Sequence, residues 1–163
     1  MKKLMFVVVL FILGTATLKA QISTANSNQI NFSDQTINGQ FLLTKDKSVL
    51  IQNFGQPQTI SKDYWETTND TATVYHYNGV VFYIVKNLVY SFTITGSQYN
   101  FSPYNIKVGE NMDRLQAIFP LSYEHRQGSK GKSLYLLIKG NDSFVEIYAD
   151  SSGIIKSIDM RDF

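Results

Sequence analysis

The feature that most constrains the fold is the stretch from Ile106 to Pro120, because a looser form of it occurs earlier in the chain. Asn111 is a good helix N-cap, since its side-chain oxygen can accept a hydrogen bond from a free backbone N–H one turn in. Pro120 can end the helix, because proline lacks the N–H that a helix interior needs. Between these two, apolar residues recur at helical spacing: Met112, Leu115, Ile118 and Phe119.

The earlier form of this stretch predicts a first helix. Asp46 takes the N-cap position, Phe54 the last apolar position and Gly55 the position that ends the helix. Glycine is suited to that end because it readily adopts positive φ. A nearly constant offset relates the two helices and also the last strand-like run after each of them, which indicates an internal duplication.

Runs of β-branched and aromatic residues follow each helix, separated by turn residues such as Asn78-Gly79. The strands predicted after the first helix are Thr59–Thr67, Thr71–Tyr77, Val80–Val85 and Leu88–Thr95. Those predicted after the second are Leu121–Arg126, Ser133–Lys139, Ser143–Ala149 and Ile154–Met160. We therefore predict an α+β protein of two tandem units, each a short helix followed by a four-stranded antiparallel meander.

Residues 1–20 have the pattern of a secretory signal peptide. Lys2 and Lys3 precede the apolar run Leu4–Leu13, and Ala20 supplies the small residue at a cleavage site. The run is short for a membrane span, which is the alternative, and no cysteine follows it to carry a lipid. The predicted organisation is a signal peptide at 1–20, a flexible polar lead-in at 21–39, and helix–meander units at 40–99 and 100–163. The expected location is periplasmic or extracellular, with no membrane anchor after cleavage.

Charge and cysteine content exclude some classes of partner and fold. Three of the 15 basic residues, Lys2, Lys3 and Lys19, lie in the leader, so the mature chain is slightly acidic although the whole chain carries +2 at pH 7. Nucleic-acid binding depends on basic residues that neutralise phosphates, so we expect no nucleic-acid partner. The chain has no cysteine, and its stability must come from hydrophobic burial.

Several of these motifs resemble known families. The segment Ile106-Lys-Val-Gly109, the capped helix, Phe119-Pro120 and the ending Ile154-Ile155-Lys-Ser-Ile158 resemble the helix-plus-meander units of small outer-membrane assembly lipoproteins, the SmpA/OmlA family. Two such units in tandem resemble the fold of the beta-lactamase inhibitor protein family. The resemblance covers roughly residues 40–162 and implies architecture alone. The chain lacks both the lipid-bearing cysteine of the first family and the bracing cysteines of the second.

One segment, Gly128-Ser-Lys-Gly-Lys-Ser133, has some of the letters of a phosphate-binding loop. The motif requires a glycine where Arg126 stands, and a helix after the loop where a strand is predicted. We therefore predict an ordinary solvated turn.

Residues of catalytic type form no recognisable motif elsewhere. His76 and His125 have no metal-ligand spacing. Carboxylates could meet across strands, which leaves an unrecognised hydrolase open as an alternative; the candidate pairs are Asp63 with Glu66 and Glu124 with Glu146. We predict no catalytic residue, no metal ligand and no cofactor.

The predicted strands are apolar on both faces, as in Val80–Val85, whereas a strand with one wet face alternates. The second face must be buried by the second unit or by the lead-in, or form an exposed aromatic patch. Tyrosine and tryptophan carry much of the binding energy at interfaces. The binding-surface candidates are Tyr64, Trp65, Tyr75, Tyr77, Tyr83, Tyr90, Tyr135 and Tyr148.

These features predict a non-enzymatic binding or inhibitory module that presents an aromatic sheet face to an unknown protein partner. One alternative is a structural or assembly accessory of the cell envelope, and a second is the unrecognised hydrolase. The sequence specifies neither the partner nor the oligomeric state.

Overall fold

The strands of the protein form one mixed eight-stranded sheet, in a computed structural model that describes residues 23–65 and 70–162. The strands are β1 (Gln29–Ile30), β2 (Thr59–Trp65), β3 (Asp70–Tyr77), β4 (Val80–Val85), β5 (Leu88–Ile94), β6 (Lys132–Ile138), β7 (Ser143–Ala149) and β8 (Ile155–Asp162). The helices are α1 (Lys47–Phe54) and α2 (Pro120–Glu124), with 3-10 helices at Phe32–Asp34 and Met112–Leu115. The predicted signal peptide, and Glu66 and Thr67 of the first predicted strand, lie outside the described residues.

The strand order is β1-β6-β7-β8-β5-β4-β3-β2. Neighbouring strands are antiparallel except β1 and β6, which are parallel. The pairing of β5 with β8, at Thr93 with Asp159 and Ile94 with Ile158, joins the two halves of the chain into one sheet. In the two described ranges, no helix is both long and apolar enough to cross a membrane.

The prediction of two tandem helix-plus-four-stranded units is wrong. The segment predicted as the strand Leu121–Arg126 forms α2 instead, and three strands follow it in the described part of the chain. Pro120 does not end a helix but begins one, because the first helical residue needs no N–H partner and proline's fixed φ suits that position. The place beside β6 is taken by β1, which comes from the predicted lead-in and adds a parallel pair to a single sheet.

The predicted helix caps are present. The Asp46 carboxylate accepts a hydrogen bond from the Ser48 N–H at 2.8 Å, and this bond lowers the pKa of Asp46. Gly55 follows the helix with a φ of 77°. Asn111 accepts from the Asp113 N–H at 2.8 Å, but the helix that it caps is a short 3-10 helix rather than the longer one that the apolar spacing predicts.

Register divides the sheet into two faces, because directly opposite residues of neighbouring antiparallel strands share a face. On the core face, Phe82 lies opposite Phe92 and is covered by the helices and loops. Most buried hydrophobic side chains belong to that core. Four do not, and they lie on the other face, which we call the open face: Ala72, Val74, Leu137 and Phe144.

The described part of the predicted flexible lead-in packs against the sheet. The Asn28 and Ile30 carbonyls accept hydrogen bonds from the Leu137 and Lys139 N–H groups of β6. Ile30 belongs to the core. This segment therefore closes the sheet at the β6 side.

Candidate functional site

Three aromatic side chains meet on the open face near the β2 edge of the sheet, and we call them the open-face aromatic cluster: Trp65, Tyr83 and Tyr90. The ring centre of Trp65 lies 5.7 Å from that of Tyr83 and 5.4 Å from that of Tyr90. These separations are in the favourable range for aromatic pairs. Ala72 on the intervening strand β3 is fully buried on this face, and its small side chain leaves room for the rings to meet.

A β-bulge gives Tyr90 its place in the cluster. Tyr83 pairs with Ser91, whereas the next residue, Ile84, pairs with Val89, so Tyr90 is the extra residue on β5. Bulges redirect side chains and increase the local twist. Here the Tyr90 ring reaches Trp65 two strands beyond β4 and remains 36% exposed.

A second aromatic group lies on the same face at the β6–β7 side. The Tyr135 ring packs edge-on against Phe144 at 5.6 Å. Burial raises the pKa of Tyr135, and the negative charge of Glu146 on the opposite strand adds to the shift. Tyr135 is therefore a neutral phenol at physiological pH. Tyr148, opposite Ser133, is 37% exposed.

Two carboxylates lie between these aromatic groups. Asp159 accepts hydrogen bonds from the Thr93 and Ser157 hydroxyls, each at 2.7 Å, and is 7% exposed. Glu146 lies directly opposite Asp159 and accepts from the Ser133 hydroxyl at 2.6 Å. The centre of the open face is therefore polar and negatively charged.

Other charged side chains also lie on the open face. Arg161 Nε lies 3.3 Å from Glu146 Oε2, and the Arg161 side chain is largely exposed. Asp63 shares the open face with Trp65, and its carboxylate accepts from the Trp65 indole N–H at 3.0 Å. Asp70, opposite Trp65, is a fourth carboxylate on this face and lies 4.0 Å from Lys86 Nζ. In the described chain four carboxylates thus face Arg161 and Lys86, and the open face carries a net negative charge.

The other predicted binding residues lie elsewhere. Tyr75 is 7% exposed and belongs to the core. Tyr77 packs against Phe54 and Phe82 on the core face and donates its hydroxyl to the Gly55 carbonyl; burial raises its pKa. Tyr64 is well exposed but alternates with Trp65 along β2, so it lies on the opposite side of the strand. Tyr75, Tyr77 and Tyr64 are therefore not part of the open face.

The predicted carboxylate pairs do not form catalytic sites in the described residues. Glu124 lies in α2 on the core side and Glu146 on the open face, so the sheet separates them. Glu66, the predicted partner of Asp63, lies outside the described residues. The carboxylates of Glu146 and Asp159 both accept hydrogen bonds from hydroxyl groups. Such bonds hold the two side chains in place, as expected for a pair with a structural role.

A Ser–His contact is present on the open face, with the Ser61 hydroxyl 2.8 Å from His76 Nε2. A nucleophilic serine needs a third group that orients the histidine through its other nitrogen. In the described part of the chain no hydrogen bond reaches His76 Nδ1. His125 is an exposed residue at the end of α2. Within the same ranges, no group of three His, Cys, Asp or Glu residues could hold a metal ion.

Sequence reasoning missed Asp159 and the hydroxyl groups around it. The signal was available in β8, where Ser157, Asp159 and Arg161 alternate with Ile158 and Met160. This alternation is typical of a strand with one apolar and one polar face.

No protein-family model matches the chain, and no curated protein matches it. Three solved structures are similar. An extracellular protein containing an SCP domain from Bacillus anthracis has a TM-score of 0.50 and 17% identity, over 74% of this chain and 44% of that one. A cysteine-rich secretory protein from Staphylococcus aureus has a TM-score of 0.46 and 18% identity, over the same shares. A candidate beta-lactamase inhibitor protein from Streptococcus mutans has a TM-score of 0.32 and 17% identity, over 80% of this chain and 93% of that one.

The chain thus spans 44% of the length of the first two structures. At 17% identity the Bacillus anthracis similarity is one of fold alone. The resemblance to the beta-lactamase inhibitor family is supported only as a weak structural similarity, and the resemblance to the outer-membrane assembly lipoproteins has no support in these comparisons.

Proposed function

We propose that this chain is an exported, non-enzymatic binding module whose open face contacts a protein partner. The observation that carries the proposal is the open-face aromatic cluster: Trp65, Tyr83 and Tyr90 lie on a face that no helix of the described chain covers. Aromatic side chains of this kind dominate binding energy at protein interfaces.

The net charge of the open face indicates which kind of partner surface it would bind. The described open face carries more acidic than basic side chains: Asp63, Asp70, Glu146 and Asp159 against Arg161 and Lys86. Complementary charge speeds association and selects among partners. The expected partner surface presents lysine or arginine side chains beside an apolar patch that covers the rings.

The test has two stages, and the first uses a photo-crosslinking amino acid in cells that express the full chain. The crosslinker replaces Tyr90 in one variant and Tyr104 in a control. Tyr104 is 58% exposed but packs against Phe119, a residue of the core side. The proposal expects one protein to be crosslinked from position 90 and not from position 104.

The second stage measures the affinity of that purified protein. Tyr83→Ala and Tyr90→Ala should each raise the Kd about 30-fold, which corresponds to about 2 kcal/mol, while Tyr104→Ala leaves it unchanged. Equal crosslinking from both positions, or a Kd that changes less than about threefold in the open-face variants, contradicts the proposal.

Export rests on the leader predicted at residues 1–20 and has a separate test. Protein recovered from the periplasm or the culture medium should begin at Gln21 on N-terminal sequencing. Recovery of the chain only in the cytoplasm, with Met1 to Ala20 still attached, contradicts export.

A further inference from the structure

The segment from Gly128 to Lys132 forms a closed loop at the end of β6. Gln127 and Ser133 exchange both backbone hydrogen bonds, at 2.9 and 2.7 Å, and so join the two ends of the loop. A Cβ on Gly131 would lie 2.5 Å from the Ala149 carbonyl oxygen and 2.6 Å from the Tyr148 hydroxyl oxygen. Only glycine allows the loop to approach β7 this closely.

This loop borders a cavity of about 350 Å³ at the end of the sheet. The turn Asp150–Gly153 and the start of the 3-10 helix at Met112 form its other walls. Lys132 pairs with Ala149 on the core face, so the cavity is distinct from the open face. Its volume is at the small end of the range for small-molecule sites.

Three cationic side chains line the cavity: Arg126, Lys130 and Lys132. The Arg126 guanidinium is held over the Tyr123 ring at 3.7 Å and donates to the Tyr123 carbonyl. Lys132 Nζ donates to the Gly128 carbonyl at 2.7 Å. These contacts leave further N–H donors on both groups, because a guanidinium has five and an ammonium has three.

The two carboxylates that line the cavity are already engaged. Asp113 accepts from the Tyr123 hydroxyl at 2.6 Å. Asp150 accepts from the Ser152 and Ile154 N–H groups and lies 3.0 Å from Lys156 Nζ. The cavity therefore holds three cations against two carboxylates, one of which is paired outside it, together with the hydroxyls of Ser129, Ser151 and Ser152.

We propose that this cavity binds a small polar solute through an oxyanion group, whether phosphate, sulfate or carboxylate. Arginine and lysine supply charge-assisted donors for such oxygens, and the serine hydroxyls can supply neutral donors. Lys130 lies at the exposed tip of the loop, where it can close over a bound anion. This site is independent of the partner surface on the open face.

The test is a titration of the ¹⁵N-labelled protein, followed by NMR, with sodium phosphate, sodium sulfate and sodium acetate in turn. Sodium chloride at matched ionic strength is the reference. Saturable shifts at Gly128, Gly131 and Gly153 with any of the three oxyanions support the proposal, and their ranking identifies the preferred group. Shifts that do not saturate, or that chloride reproduces, overturn it.

A matched pair of variants locates the binding. Lys130→Gln should weaken binding at least threefold, whereas Lys139→Gln, an exposed lysine at the opposite end of β6, should leave the Kd unchanged. Both substitutions are on the surface, so both variants are expected to fold. Equal weakening by both substitutions would show general charge attraction and overturn the site.

Discussion

Glu146 and Asp159 lie directly opposite each other on β7 and β8, so two carboxylates share the centre of the open face. Like charges in this position destabilise a sheet. Here Asp159 is held by Thr93 and Ser157, and Glu146 by Ser133 and Arg161. These donors offset the repulsion and fix the polar centre between the two aromatic groups.

Thr93→Val should destabilise the protein by about 1.5–3 kcal/mol, because it removes a hydrogen bond to a buried carboxylate and keeps the shape of the side chain. Urea unfolding measures the change. Thr95→Val, at an exposed position just after β5, is the control and should stay within about 0.5 kcal/mol of the wild type. Equal stability of the Thr93 and Thr95 variants would show that the Asp159 carboxylate does not need the Thr93 hydroxyl.

Tyr75→Ala and Tyr90→Ala should differ sharply in stability. Tyr75 is buried in the core, so its loss should cost about 3–5 kcal/mol. Tyr90 is 36% exposed and pairs with the Trp65 ring, so its truncation removes less buried surface than truncation of Tyr75 does, and we expect a cost below about 2 kcal/mol. Thermal unfolding of the two variants measures this difference in stability. A loss at Tyr90 as large as that at Tyr75 would assign the open-face aromatic cluster to the core.

Helices and strands are predicted well from the sequence where the apolar residues follow one clear spacing or where a specific turn type marks a boundary. β4 is observed at its predicted bounds, Val80–Val85, because the Asn78-Gly79 turn fixes its start. The segment after Pro120 is different: Leu121 and Tyr123 are two residues apart, which fits a strand as well as one turn of helix. Its helical state depends on tertiary contacts that the local sequence does not contain.

The open face was predictable in part. Tyrosine content indicated an aromatic surface, but strand parity decides which rings lie on it, and parity depends on register. The bulge at Tyr90 shifts that register on β5, and no glycine or proline marks it in the sequence. The pairing of β1 with β6 could not be predicted either, because a strand of two residues is too short to show an alternating pattern in the sequence.

Ser122→Ala tests this pairing of β1. The Ser122 hydroxyl accepts from the Asn28 N–H at 2.7 Å and donates to the Tyr135 carbonyl, so it joins β1, α2 and β6. Loss of this hydroxyl removes a partner from the Asn28 N–H and from the Tyr135 carbonyl. It should therefore lower the free energy of unfolding by about 2–3 kcal/mol. Hydrogen exchange should also become faster at Leu137 and Lys139, whose N–H groups bond to the β1 segment.

The control for that variant is Ser97→Ala, at an exposed position after β5. This control substitution should change the free energy of unfolding by less than about 0.5 kcal/mol and should leave the exchange rates unchanged. Unchanged exchange at Leu137 and Lys139 in the Ser122 variant would contradict the role given to this hydroxyl.

Asp150→Asn should reduce the acid sensitivity of the fold. The contact with Lys156, followed by the hydrogen bond from the Ile154 N–H, lowers the pKa of Asp150 below its ordinary value of 3.8. The folded protein therefore binds this proton less readily than the unfolded chain does. The stability that the carboxylate supplies is present above the unfolded pKa and is lost as the pH falls through the folded pKa. Asparagine keeps an acceptor for the turn but has no charge to titrate.

The measurement is the urea midpoint from about pH 2 to about pH 7 at low ionic strength, since the exposed Asp150–Lys156 pair is screened by salt. The Asp150 variant should be less stable than the wild type at neutral pH and should lose less of its stability on acidification. Asp142→Asn, in the turn at the other end of β7, is the control, because in the described chain its side chain makes no hydrogen bond or ion pair. If wild type and the Asp150 variant lose stability in parallel below about pH 4, the turn does not depend on the charge of Asp150.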